Sequence, residues 1–182
     1  MNIKASSNDI FLRAIEPEDE NFLYSIENRE ESFLVGENRI PFSHDYLQRF
    51  IYASLQDNFF SSGQLRLVAC RVEQGKNDTG TENILGIIDY FNYEAFHRRA
   101  EVGIVVCSAY RGQGWGEKIL ELACRYAKNC LNLHQLYAEV GQDNTPSLAL
   151  FEKAGFVRCA LRKDWILRGE VWTDVSGWQK IL

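Results

Sequence analysis

The chain has 182 residues and a mass of 21.0 kDa, enough for one domain of ordinary size, 1–182, with its own packed core. Its 46% hydrophobic and 25% charged residues exclude a disordered or fibrous chain. No apolar run nears the roughly 20 residues that cross a bilayer, and the N-terminus (MNIKASSNDIF) lacks the apolar stretch of a signal peptide, so a cytoplasmic protein without membrane contact is expected. A net charge of −5 disfavours nucleic acid and is compatible with a cationic partner. Cys70, Cys107, Cys124, Cys130 and Cys159 lie in apolar surroundings without a C-x-x-C pair, which reads as buried free thiols in a reducing compartment. His44, His97 and His134 share no ligand spacing with a cysteine or with one another, and no metal is expected.

In chain order, residues 10–15 read as a strand, and the Glu16-Pro17-Glu18-Asp19 run starts a helix reaching about residue 28. Phe22, Leu23 and Ile26 form its apolar stripe. A second helix spans 45–56, with Leu47, Phe50, Ile51 and Leu55 at helical spacing. Residues 65–72 and 84–93 form strands joined by the turn cluster 75–83. The strand at 98–107 becomes continuously apolar after Val102 apart from Gly103, which predicts a central position covered on both faces. A helix over 118–130 follows, then a strand at 133–140, a helix at 147–155 ending on Gly155, and strands at 156–166 and 171–182. The order is α+β, with a mixed, mainly antiparallel central sheet flanked by helices on both faces.

The most informative segment is Tyr110-Arg111-Gly112-Gln113-Gly114-Trp115-Gly116, between an apolar strand and an amphipathic helix. Three glycines in five residues let backbone N–H groups converge at a helix N-terminus, where partial positive charge favours phosphate. The bland alternative is a glycine-rich reversal of the chain. The segment lacks the Lys-Ser or Lys-Thr of a Walker A loop, and its spacing is not the G-x-G-x-x-G of a dinucleotide fold.

With Arg111, Gly114 and Gly116 in place, the segment resembles the acyl-CoA pyrophosphate loop of the GNAT superfamily of N-acetyltransferases. Downstream, Asn144 followed by a helix ending in Gly155-Phe156 is similar to the superfamily's second signature. Upstream, His97-Arg98-Arg99-Ala100-Glu101 is similar to the matching segment of spermidine and ribosomal-protein alanine N-acetyltransferases. The resemblance implies acetyl-CoA as cosubstrate, with Ile104, Val105 and Val106 pairing with pantetheine through their backbone. It places Arg111, Gly112, Gln113, Gly114, Trp115 and Gly116 around the pyrophosphate, and Asn144, Phe151 and Lys153 along the cofactor. The bland roles are a helix cap for Asn144, core packing for Phe151 and a solvated cation for Lys153.

An alkyl amine with a pKa near 10 is unprotonated in only about one molecule per thousand at neutral pH, so an acceptor for its proton is needed. Glu101 is the candidate base, and its bland alternative is a surface ion pair with Arg98 or Arg99. Phe151 stands where spermidine acetyltransferases carry a proton-donating tyrosine, which leaves Ser147, Tyr110 or water as substitutes and moves weight toward an N-terminal amine. The reaction implied is direct transfer to a primary amine, on a peptide or protein N-terminus or a polyamine-like molecule. The rivals are a non-catalytic acyl-CoA-binding module and a binder of another pyrophosphate. The acids Glu27, Glu30, Glu31 and Glu37 suit a cationic acceptor, and aromatics such as Trp165 and Trp172 serve either that site or a homodimer contact.

Overall fold

The computed structural model describes residues 3–4, 10–29, 40–73 and 81–182. Among these residues one sheet of eight strands runs in the order β1-β2-β3-β4-β5-β6-β8-β7. The strands are β1 (Ile3–Lys4), β2 (Ile10–Ala14), β3 (Leu65–Glu73), β4 (Thr81–Glu94), β5 (Arg99–Val106), β6 (Gln135–Gly141), β7 (Val157–Arg168) and β8 (Val171–Ile181). The helices are α1 (Glu20–Glu27), α2 (His44–Gln56), the single turn α3 (Phe59–Ser62), α4 (Trp115–Asn129) and α5 (Thr145–Lys153). All pairings are antiparallel except β5 with β6.

Alternation along the strands sends apolar side chains to two cores. One joins Ala100 and Val102 to Ile119, Leu122 and Ala123 of α4 and to Phe151 of α5. The other joins Phe11, Val68 and Ile87 to Leu23 and Ile26 of α1 and Leu47 and Ile51 of α2. Helices therefore cover both faces of the sheet. The Ser43 hydroxyl caps α2 by accepting from the Tyr46 N–H at 3.1 Å, and Pro17 opens a 3-10 turn, Pro17–Asp19, ahead of α1.

Several expectations need correction. Helix α4 starts at Trp115 instead of 118, because Gly114, with φ +80°, caps it directly. Thr81, Glu82 and Asn83, read as turn, belong to β4; the rest of that cluster falls within 74–80, outside the described residues, as do Glu30, Glu31 and Glu37. Leu55 is 47% exposed and leaves the stripe of α2. Cys70, Cys107 and Cys124 are buried, but Cys130 at the end of α4 and Cys159 on the outer strand β7 are exposed. Finally, β5 is central but not covered throughout: Gly103, Ile104, Val105 and Val106 are only half-buried. The cause is that β6 accompanies β5 only from Arg99 to Glu101, after which the two strands part.

Candidate active site: a groove between parting strands

Where β6 leaves, β5 keeps its ladder to β4. Val105 opposes Ile87, and the Cys107 N–H donates to the Leu85 carbonyl at 2.8 Å. Since antiparallel hydrogen-bonded pairs alternate, the N–H and C=O of Ile104 and Val106 point away from β4 and into the gap. One of them is already in use: Arg111 Nε donates to the Val106 carbonyl oxygen at 3.0 Å.

Beyond β5 a 3-10 turn, Ser108–Tyr110, leads into the glycine segment. Gly112 and Gly114 adopt φ of +73° and +80°, conformations that side chains disfavour. Helix α4 then begins, and the N–H groups of its first turn have no carbonyl one turn earlier in the helix to receive them. The Gln113 side-chain amide donates to the Ala109 carbonyl at 2.8 Å, and the Trp115 indole N–H donates to Gln113 Oε1 at 3.4 Å, bracing the loop. Arg71 and Lys118 both lie over the Trp115 ring, at 5.2 and 4.6 Å from its centre.

The gap continues as a cavity of about 700 Å³. Ile104, Val105 and Val106 form one wall, Arg111, Gly112, Gly114 and Gly116 the end by the loop, and Asn144, Ser147, Leu150 and Lys153 the wall from α5. Gly116 keeps the floor open, since a Cβ there would sit 3.3 Å from Leu150 Cδ2 and 3.5 Å from Val106 Cγ2. At its other end the cavity reaches Ile26 and Glu27 of α1.

Three expected residues sit differently. Gln113 and Trp115 are beside the cavity and not among its lining. Phe151 is 4% exposed and packs edge-on against Phe156, ring centres 5.0 Å apart, in the core beneath α5. Asn144 combines both of its readings: its Oδ1 accepts from the Ser147 N–H at 3.2 Å, capping α5, while the residue also lines the cavity.

Glu101 lies on the face covered by α1 and α2, at the last register pair before the strands part, opposite Tyr137. Its Oε2 accepts from Asn92 Nδ2 at 2.9 Å. Burial, and next the Glu101 carboxylate, raise the Tyr137 hydroxyl above its ordinary pKa, so it stays protonated at neutral pH. On the same face Arg66 bridges Asp89 of β4 and Glu27 of α1. Burial alone would lower the Arg66 pKa, but the two carboxylates raise it, and the side chain remains a cation. The sequence reading missed Asn92, Tyr137, Arg66 and Asp89. No local signal marks Arg66, whose partners lie 23 and 39 residues away. Among the described residues no three His, Cys, Asp or Glu gather to hold a metal, and no helix is long and apolar enough to cross a membrane.

A sheet split beside a left-handed glycine loop at a helix start is the frame of an acyl-CoA-dependent transferase. The acetyltransferase (GNAT) domain family matches residues 9–157, and the chain belongs to it: it is an N-acetyltransferase with acetyl-CoA as cosubstrate. It is 25% identical over 168 residues to spermidine N(1)-acetyltransferase of Escherichia coli strain K12, covering 91% of this chain and 82% of that one. To spermidine N(1)-acetyltransferase of Vibrio cholerae serotype O1 it is 24% identical over 151 residues, covering 83% and 80%. The crystal structure of spermidine N-acetyltransferase from Vibrio cholerae in complex with CoA and spermine shares the fold, with a TM-score of 0.82, 24% identity and 95% of each chain covered.

Proposed function

We propose that this single-domain, cytoplasmic enzyme acetylates a primary amine of a polycationic molecule of the spermidine type. The observation that carries the reading is the placement of Glu101 where β5 and β6 part, on the face that also holds Asp89 and Glu27. With Glu139 also on this face, four carboxylates against Arg66, Arg99 and Arg162 leave net negative charge for a polyamine. The relatives named above support the same acceptor.

In this reading the outward backbone groups of Ile104 and Val106 pair with the pantetheine arm like an added strand. The loop from Arg111 to Gly116 receives the pyrophosphate at the start of α4, with Gln113 and Trp115 bracing it from behind. Asn144 and Lys153 flank the cofactor, and Phe151 supports their helix from the core. The amine attacks the thioester carbon, a C–N bond forms, the C–S bond breaks, and Glu101 takes the amine proton. The thiolate, with a pKa near 8.5, leaves with a proton from water or from Ser147 or Tyr110, both of which line the cavity.

A peptide N-terminus is the second reading. Phe151 favours it by supplying no hydroxyl where relatives carry a proton donor, because an amine of pKa near 8 demands less proton management. A homodimer remains part of the proposal, and sedimentation of the free enzyme tests it.

The deciding experiment follows CoA thiol release from acetyl-CoA with spermidine, an aminosugar and alanyl peptides as acceptors. Release with spermidine above the peptides supports the polyamine reading, and the reverse order moves the assignment to N-termini. Binding of acetyl-CoA without release for any acceptor leaves a non-catalytic binder and refutes the proposal.

A further inference from the structure

Asn92 has φ +51°, one of four non-glycine residues in the left-handed region among those described. It lies in an irregularity of β4. The register runs from Phe91 opposite Glu101 to Glu94 opposite Arg99, so Asn92 and Tyr93 together face the single residue Ala100. In a regular ladder residue 92 would oppose Ala100 and share its side of the sheet, and Ala100 is fully buried in the core under α4. An amide there would be desolvated. The extra residue reverses the parity. Tyr93 takes the inward position and packs on Phe59, ring centres 4.6 Å apart, while Asn92 turns to the other face. There its amide donates to Glu101 Oε2 at 2.9 Å and also meets the Tyr137 hydroxyl.

We propose that Asn92 is a positioning residue: the bulge holds its backbone left-handed so that its amide fixes one oxygen of Glu101, and the carboxylate meets the incoming amine in a single orientation. This rests on reading Glu101 as the base. Left-handed backbone on a non-glycine residue costs free energy and persists where surrounding structure imposes it, and asparagine tolerates it better than most residues. Asn92 is itself exposed. Here the amide is shared between the two residues that close the parallel pairing, Glu101 and Tyr137. Among the described residues, charged groups on this face include Asp89 on β4, Glu139 on β6, itself paired with Arg162, Arg99 on the same strand as Glu101, and the Arg66–Glu27 pair.

Two variants separate the amide from the backbone. Asn92→Gly keeps the left-handed turn at ease and removes the amide; Asn92→Asp keeps size and shape but replaces the donor with a second negative charge. With spermidine and the alanyl peptides as acceptors, Asn92→Gly lowers kcat about ten-fold, part of the roughly hundred- to ten-thousand-fold that a positioned base supplies. KM for acetyl-CoA stays within about two-fold, Asn92→Asp loses at least as much kcat, and Asn92→Gly has no further effect on Glu101→Gln. Wild-type kcat in Asn92→Gly, or an equal loss in the Glu101→Gln background, overturns the positioning role while leaving Glu101 as base. Glu101→Gln turning over at the wild-type rate overturns the base and this inference with it, as does an absence of turnover with every acceptor. If Asn92→Gly does not fold, Asn92→Asp with wild-type kcat is the refuting result.

Discussion

Arg66 holds Asp89 by two parallel hydrogen bonds, Nε to Oδ1 at 2.6 Å and Nη2 to Oδ2 at 2.9 Å, and gives its remaining nitrogen to Glu27. This one cation ties α1 to β3 and β4 at the end of the cavity. Replacing it by methionine leaves two partly buried carboxylates without a counter-charge and costs about 3–5 kcal/mol in urea unfolding. Adding Glu27→Gln and Asp89→Asn to that variant restores much of the loss. A loss below about 1 kcal/mol would show that the bridge is an ordinary surface pair.

Gly86 of β4 lies so close to β5 that a Cβ would stand 2.1 Å from the Val105 carbonyl oxygen. Backbone has no rotamer with which to yield, so Gly86→Ala displaces the strand that forms the groove wall. Expected are a stability loss of at least about 1–3 kcal/mol and weaker acetyl-CoA binding by calorimetry. Wild-type values for both would contradict the geometry.

Arg111 is tied to the last residue of β5 through the Val106 carbonyl, and its charge stands at the loop end of the cavity. Arg111→Ala should weaken acetyl-CoA binding about ten-fold, the scale of one charged hydrogen bond, and change kcat little once the enzyme is saturated. Titration calorimetry with CoA reads this directly, and an unchanged Kd removes Arg111 from the pyrophosphate site.

How much of this was legible beforehand follows from the range of the interactions. The glycine segment, the capped helix at Asn144 and the alternating strands are local patterns, and they marked every strand but the two-residue β1 and every helix but the single turn α3, while the parting of the strands was implied only by the resemblance. Glu101 could be singled out as a candidate base, but its partner could not. The Asn92 contact depends on a register shift between two strands, which reverses the side that position 92 would otherwise face. Val102 to Cys107 looked fully covered because an apolar run does not reveal that its neighbour departs after three residues. The resemblance placed Phe151 near the cofactor, whereas packing against Phe156 sets its ring in the core, the bland alternative for that residue.

Burial pushes the Cys70 thiol to about 12 and Cys124 to about 11, and raises Cys107 as well. An unfolded chain ionises its thiols near 9, so above that pH it releases protons that the folded chain retains. The stabilising contribution of these groups is full below about pH 9 and is lost as pH rises toward 12, and the melting temperature should fall over that window. Cys70→Ala should flatten this part of the profile. At pH 8 iodoacetamide should label Cys130 and Cys159 in the native enzyme and reach the other three only after denaturation, as mass spectrometry can verify. Early labelling of Cys70 would contradict its burial.

Among the described residues, the parallel seam of Arg99 with Gln135, Ala100 with Leu136 and Glu101 with Tyr137, extended by the His134 N–H donating to the Arg98 carbonyl at 2.7 Å, is the strand pairing that joins β1 to β5 with β6 to β8. In the proposed complex the cosubstrate bridges the remainder of that seam. Supply of a metabolite then contributes to the cohesion of the fold, and amide protons at Ile104 and Val106 would record, by how slowly they exchange, how well the enzyme is fed.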